Sequence, residues 1–137
     1  MVLDTGPLYA LLDDRDGQHS AAVALLDQLE QQNADITCAY PAALETHRLM
    51  LTRERVTVEH AHALIADALE IFTPELPTLE DVDAALGSLR SFADQKISLT
   101  DATIAAIALR LRAAVLTFDQ KARHFELMGA EVYGRAS

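Results

Sequence analysis

The 137-residue chain has little cysteine, glycine, proline or aromatic content, and it has no long apolar run. Its one cysteine, Cys38, excludes an internal disulfide and fits a reducing compartment, so we expect a cytoplasmic protein. No stretch reaches the roughly 20 apolar residues of a membrane-spanning helix, and no basic segment followed by an apolar run indicates export. Because no linker rich in glycine, serine or proline interrupts the chain, we predict one domain over residues 1–137.

Basic residues are also scarce, with 11 Lys and Arg against 21 Asp and Glu and a formal net charge of −10. This charge disfavours a nucleic-acid partner, because phosphate backbones attract basic surfaces. The imbalance is concentrated in residues 1–47, which hold eight acidic residues and one basic residue. Two groups of cations remain as candidate substrate contacts: Arg48, Arg53 and Arg55, and Lys121 with Arg123. A solvated helix face is the commoner explanation for both groups.

The hydrophobic residues, half of the chain, alternate between short strand-like runs and segments with helical spacing. We predict strands at residues 1–4, 35–40, 71–76, 115–117 and 131–133. Pro74 places the third of these at a sheet edge, and Pro41 ends the second. The predicted helix caps are Thr5, Thr57, Thr78 and Thr100. Strands that alternate with helices predict an α/β sandwich around a mostly parallel sheet of four or five strands.

Four acidic residues have positions that bring them to one edge of this sheet: Asp4, Glu45, Asp101 and Asp119. Asp4 and Asp119 directly follow apolar strands, and the crevice of a parallel sheet lies at the carboxyl ends of its strands. Asp101 begins a helix, and Glu45 lies one turn into another. Each acid alone is explained by a turn or a helix cap, so the shared edge is the informative feature. Carboxylate oxygens suit Mg²⁺ or Mn²⁺, and such ions suit phosphodiester cleavage.

The segments around these acids resemble PIN-domain proteins, and the resemblance covers nearly the whole chain. The opening motif of that family is similar to residues 2–13, VLDTGPLYALLD. Its later acidic motifs are similar, in order, to residues 44–46, 98–108 and 116–119. The subgroup that the chain resembles is the VapC-type ribonuclease toxins of prokaryotic toxin–antitoxin pairs. Gly6 departs from the pattern, because many members have serine there.

The resemblance implies a three-layer α/β/α fold and a Mg²⁺- or Mn²⁺-dependent endoribonuclease, the toxin of a type II toxin–antitoxin pair. It implies that Asp4 and Asp101 are the principal metal ligands and that Glu45 and Asp119 complete the catalytic pocket. Thr5 and Thr117 would assist through hydroxyl or water contacts. The implied partners are RNA, an antitoxin that places a basic side chain in the acidic pocket, and a second copy in a homodimer.

Other hydrolase classes fit the residues less well. The sequence Asp4-Thr5-Gly6 also occurs in aspartic proteases, whose nearly all-β fold disagrees with five or six predicted helices. No Gly-x-Ser-x-Gly motif supports a serine hydrolase, and His60 and His62 diverge on a helix instead of facing one zinc ion. The open alternative is a non-catalytic PIN-like module that binds protein or RNA. The acidic balance favours this alternative, and the intact set of acids disfavours it.

Overall fold

A computed structural model describes residues 1–134 of the chain, apart from the side chain of Asp119. Its strands are β1 (Val2–Leu3), β2 (Thr37–Ala39), β3 (Pro74–Glu75), β4 (Val115–Leu116) and β5 (Val132–Tyr133). Its helices are α1 (Thr5–Leu12), α2 (His19–Gln31), α3 (Tyr40–Arg53), α4 (Val58–Ile71), α5 (Leu79–Ser91), α6 (Leu99–Leu111) and α7 (Asp119–Leu127). The strands pair in parallel in the order β3-β2-β1-β4-β5, which confirms the predicted α/β class and parallel sheet.

Helices cover both faces of the sheet, because successive strand residues point to opposite sides. Val2 lies in a buried cluster with Ile104 of α6 and Phe125 of α7. Its neighbour Leu3 lies in a second buried cluster, which includes Leu8 of α1 and residues of α2 and α4. The molecule is therefore a three-layer α/β/α sandwich. Within residues 1–134, the helices lack the combination of length and apolar character that crossing a membrane requires.

Two of the predicted helix caps are confirmed by hydrogen bonds. The Thr57 hydroxyl accepts a bond from the His60 backbone N–H at 3.1 Å, at the start of α4. At the start of α5, the Thr78 side chain accepts from the Asp81 N–H and the Asp81 carboxylate accepts from the Thr78 N–H, which forms a capping box. Pro74 lies on the edge strand β3, as its missing N–H predicted.

The other two predicted caps were wrong. Helix α6 begins two residues before the prediction, with Ser98 as its cap, because the Ser98 hydroxyl accepts from the Asp101 N–H at 3.0 Å. Thr100 is consequently the second residue of the helix. In α1 the N-cap position belongs to Asp4, which makes Thr5 the first helical residue. The Asp4 side chain accepts no cap bond from the helix, since its carboxylate accepts a hydrogen bond from the Thr117 hydroxyl instead.

Two strand boundaries also differ from the prediction, and in both cases the residue at the predicted boundary belongs to a helix. Ile71 was predicted to start a strand, but α4 continues to it, because the Phe72 N–H still bonds to the Ala68 carbonyl at 2.8 Å. Pro41 was predicted to end a strand and instead lies in the first turn of α3. A proline fits there because the first backbone N–H groups of a helix have no intrahelical partner.

The cap at Ser98 gives a direct test of where α6 begins. We expect Ser98→Ala to lower the free energy of unfolding by about 1 kcal/mol, because it removes the acceptor for the Asp101 N–H. Thr100→Ala, the matched control, should change it by less than about 0.5 kcal/mol, since alanine is the better helix former. Urea denaturation followed by circular dichroism measures both values. A larger loss for Thr100→Ala would place the helix start after residue 100.

Candidate functional site

Asp4 is a buried carboxylate at the carboxyl end of the central strand, with only 1% of its surface exposed. Its Oδ2 accepts a hydrogen bond from the Thr117 hydroxyl at 2.8 Å, while its buried Oδ1 has no hydrogen-bond partner among the described residues. Burial raises the pKa of Asp4 to about 6 and the charge of Asp101 adds to the rise, although the Thr117 hydroxyl and Lys121 oppose it. An unpaired buried oxygen is costly, so a cation beside Asp4 would stabilise it.

Asp101 lies in the first turn of α6 and is 2% exposed. Both of its carboxylate oxygens accept hydrogen bonds from the Lys121 ammonium group, at 2.8 and 3.1 Å. Lys121 belongs to α7, so this ion pair joins two helices. The charge of Asp101 contributes to the raised pKa of Asp4, so the two acids predicted as principal metal ligands interact electrostatically.

Lys121 is the residue of this site that sequence analysis missed, since it was only a candidate substrate contact. Desolvation disfavours its charged form, but hydrogen bonding to Asp101 and the charges of Asp101, Asp4 and Glu45 outweigh that effect and raise the pKa of Lys121. Three of the four predicted acids therefore act on one ammonium group. The side chain of the fourth, Asp119, lies outside the described residues, and its position in the site stays a prediction.

The sequence carries a signal for this ion pair. Lys121 is the third residue of α7, where the positive end of the helix dipole disfavours a cation. A lysine in such a position needs an anionic partner nearby. The identity of that partner depends on how α6 and α7 meet in the folded chain.

The donor set suits a hard divalent cation. Carboxylate oxygens are the ligands that Mg²⁺ and Mn²⁺ prefer. In the described part of the chain, no group of three or more His, Cys, Asp and Glu residues is arranged to hold a metal ion. Asp4 and Asp101 nevertheless fit such an ion, because one oxygen of Asp4 is unpaired and both oxygens of Asp101 already contact a cation.

Two grooves adjoin the acids, and each contains an arginine of α3. The first, of about 270 Å³, is lined by Thr5 and Arg53 among other residues. The Arg53 guanidinium lies over the Tyr9 ring, 4.4 Å from its centre, which holds the cation beside the groove. The second, of about 310 Å³, is lined by Glu45 and Arg48. Thr5 follows Asp4 in the chain and Glu45 is one of the four predicted acids, so each groove adjoins part of the site and has an arginine in its lining.

The remaining candidate cations differ in role. Arg55 pairs with the buried Asp13 at 2.8 Å, and the Tyr9 hydroxyl donates to the same carboxylate at 2.8 Å. Arg55 therefore belongs to a structural ion pair instead of a free basic face. Arg123 lies exposed on α7.

Cys38 and Gly6 have structural explanations. Cys38 is buried, and burial raises the pKa of its thiol to about 11, as expected for a core residue instead of a nucleophile. A Cβ atom at Gly6 would lie 3.6 Å from the Cδ2 atom of Phe118, an ordinary van der Waals distance. The fold therefore leaves room for the serine that many PIN-domain proteins have at this position.

Comparison with protein families gives one result for most of the chain. A family model described as "PIN domain" matches residues 1–127. No curated protein sequence matches with significant similarity.

Comparison with solved structures identifies several chains of similar fold. Mycobacterium tuberculosis VapC20, described as a sarcin–ricin loop cleaving toxin, has a TM-score of 0.74 and 21% identity, over 94% of this chain and 95% of that chain. VapBC-1 from nontypeable Haemophilus influenzae has a TM-score of 0.71 and 17% identity, over 96% and 95%. VapBC2 from Rickettsia felis, bound to a DNA fragment from their promoter, has a TM-score of 0.70 and 15% identity, over 97% and 98%. At these identities the similarity establishes the fold.

Proposed function

The chain belongs to the PIN domain family, and on that premise we propose that it is a divalent-metal-dependent endoribonuclease, the toxin of a type II toxin–antitoxin pair. The observation that carries this proposal is the pair of buried carboxylates, Asp4 and Asp101, one of which has an unpaired oxygen. The likeness of the fold to a toxin that cleaves the sarcin–ricin loop supports RNA as the substrate. An RNA substrate also supports a cytoplasmic site of action.

In this proposal Asp4 and Asp101 hold the metal, and Glu45 and Asp119 complete the site. A bound Mg²⁺ or Mn²⁺ ion would activate a water molecule and neutralise charge on the scissile phosphate. The Thr117 hydroxyl fixes the orientation of the Asp4 carboxylate, and burial keeps bulk water away from it. Glu45 is partly exposed and lines a groove, so in this proposal it orients the attacking water molecule.

Metal-dependent cleavage is the direct test of this function. We expect purified protein to cut a sarcin–ricin loop hairpin or a single-stranded RNA in Mn²⁺ and to leave both intact in EDTA. Asp101→Asn should remove the activity while circular dichroism shows a folded protein. Equal cleavage in Mn²⁺ and EDTA would reject the metal-dependent mechanism.

The two grooves, each with an arginine in its lining, suggest how RNA is held. We expect Arg48→Met and Arg53→Met each to weaken RNA binding and to lower the slope of log K against log salt by about 0.7, the value for one phosphate contact on a single strand. Arg90→Met is the matched control, because Arg90 is exposed on α5 and lines neither groove. Fluorescence anisotropy of a labelled single-stranded RNA in EDTA measures the effect. Equal slopes for all four proteins would remove these arginines from the RNA path.

A second candidate function is a non-catalytic module that binds RNA or protein. The net charge of −10 and the ammonium group already paired with Asp101 favour it. Binding of RNA without cleavage in either Mg²⁺ or Mn²⁺ would identify this function.

The protein partners in this proposal are an antitoxin and a second copy of the chain. The VapBC structures of similar fold support the first, and an arginine of the antitoxin would suit the acidic pocket. Exposed apolar side chains at the two ends of α4, Val58 and Ile71, are candidate contacts for either partner. A small gene adjacent to the one for this chain would support the antitoxin. Sedimentation analysis of the purified protein tests whether two copies associate.

A further inference from the structure

We propose that Lys121 is a built-in counter-ion of the acidic site, which a divalent metal ion must displace in order to bind. In this role Lys121 sets the metal affinity of the protein and offsets the charge of the carboxylates when metal is absent. The inference rests on the proposed function, because the displacing ion is the metal of that function.

The contacts of the ammonium group are the first support. Lys121 Nζ donates hydrogen bonds to both oxygens of Asp101, at 2.8 and 3.1 Å. The negative charges of Asp4 and Glu45 further favour its charged form. A dication bound by Asp101 would therefore meet a positive charge already in contact with the same oxygens. Like charges at such a distance repel each other, and beside a buried carboxylate this repulsion is screened less than in bulk water. Metal and ammonium consequently compete for one position.

The exposure of the two partners shows which of them can move. The Asp101 side chain is 2% exposed, whereas the Lys121 side chain is 42% exposed. A lysine reaches its partner through a flexible four-carbon chain, so the ammonium group can swing into water without opening the core. Asp101 has no such freedom, because its side chain is short and almost fully buried in the first turn of α6. Displacement therefore moves Lys121 and leaves the carboxylates in place.

The placement of Lys121 on α7 supports the same role. The first turn of a helix disfavours a cation, so this lysine is retained there at a small cost to the helix. The carboxylates offset that cost. Without Lys121, the buried acids Asp4 and Asp101, whose charges interact, would lose a nearby cation, which raises the cost of the metal-free fold.

Metal affinity of a charge-neutral variant tests this inference. Methionine is similar to lysine in length and carries no charge, so Lys121→Met should bind Mn²⁺ roughly ten- to a hundredfold more tightly than the unsubstituted protein. Arg123→Met is the matched control, because it removes one positive charge from the exposed part of the same helix. Its affinity for Mn²⁺ should stay within about twofold of the original, and calorimetric titration measures all three proteins.

A second measurement uses the unsubstituted protein, so it does not depend on whether the Lys121→Met variant folds. The chain contains two lysines, Lys96 and Lys121, so a lysine-labelled sample gives two side-chain ammonium signals in NMR spectra. Added Mg²⁺ should shift the Lys121 signal toward that of a solvated lysine and leave the signal of the exposed Lys96 unchanged.

The outcomes separate this inference from the proposed function. Equal Mn²⁺ affinity of the unsubstituted and Lys121→Met proteins, or a Lys121 signal that Mg²⁺ does not move, would overturn the counter-ion role and leave a metal-dependent nuclease standing. Weaker binding by Lys121→Met would overturn it as well, since the lysine would then support the metal. Absence of metal binding by every protein would overturn the proposed function together with the inference.

Discussion

Asp4→Asn is expected to abolish RNA cleavage while making the metal-free protein more stable. Loss of one metal-binding carboxylate should lower the cleavage rate at least about 100-fold. The same change removes a buried charge with an unpaired oxygen, so it should raise the free energy of unfolding in EDTA by about 1–3 kcal/mol. An acid whose pKa is higher in the folded state destabilises the fold at high pH. The gain should therefore be full above pH 6 and fade toward pH 4.

Cleavage assays and urea denaturation in EDTA measure the two effects of Asp4→Asn. Asp94→Asn is the matched control, because it makes the same chemical change at an exposed carboxylate. It should alter neither quantity appreciably. An Asp4→Asn protein that is less stable than the original would mean that the carboxylate supports the fold, and retained cleavage would remove Asp4 from the site.

The second large effect is expected from Phe125→Ala, on the inner side of α7. Phe125 is fully buried between this helix and the sheet, in the cluster that contains Val2 and Ile104. Truncation should lower the free energy of unfolding by about 3–5 kcal/mol, because it removes apolar contact and leaves a cavity. This is a large share of the roughly 5–15 kcal/mol that stabilises a typical domain. Because Lys121 and Asp119 lie on the same helix, the site should be lost together with the packing.

Urea denaturation tests this expectation, with Leu79→Ala as the control. Leu79 is 82% exposed at the start of α5, so its truncation should change stability by less than about 0.5 kcal/mol. A loss below about 1 kcal/mol for Phe125→Ala would contradict the packing of α7 against the sheet.

The fold class and the family were predictable from the sequence, and both are confirmed. The short apolar runs predicted the strands, and Thr57 and Thr78 predicted two helix starts, because such preferences act between residues close in sequence. Boundaries were less certain where two signals compete. Ser98 and Thr100 are both good caps, and only the fold decides that the Asp101 N–H bonds to the first of them. The prediction of one domain over residues 1–137 stays a prediction.

The site was predictable as a set of positions and not as a set of contacts. The sequence order of strands brings Asp4 and Asp101 to one edge, and both prove to be buried and close enough to influence each other. The bond between Thr117 and Asp4 spans 113 positions, and the Lys121–Asp101 pair spans 20. Such contacts depend on how helices and strands pack, which hydrophobic spacing does not encode. The metal-ligand roles of Asp4, Glu45, Asp101 and Asp119 stay proposals.

The location of Mn²⁺ in crystals of the metal-loaded protein tests the central claim most directly. Anomalous scattering from Mn²⁺ marks the ion without reference to activity or substrate. We expect one strong peak whose ligands include oxygens of both Asp4 and Asp101, with Lys121 Nζ withdrawn from the carboxylates. An ion bound elsewhere, or no ion at saturating Mn²⁺ with the Lys121–Asp101 pair intact, would contradict a metal-dependent nuclease.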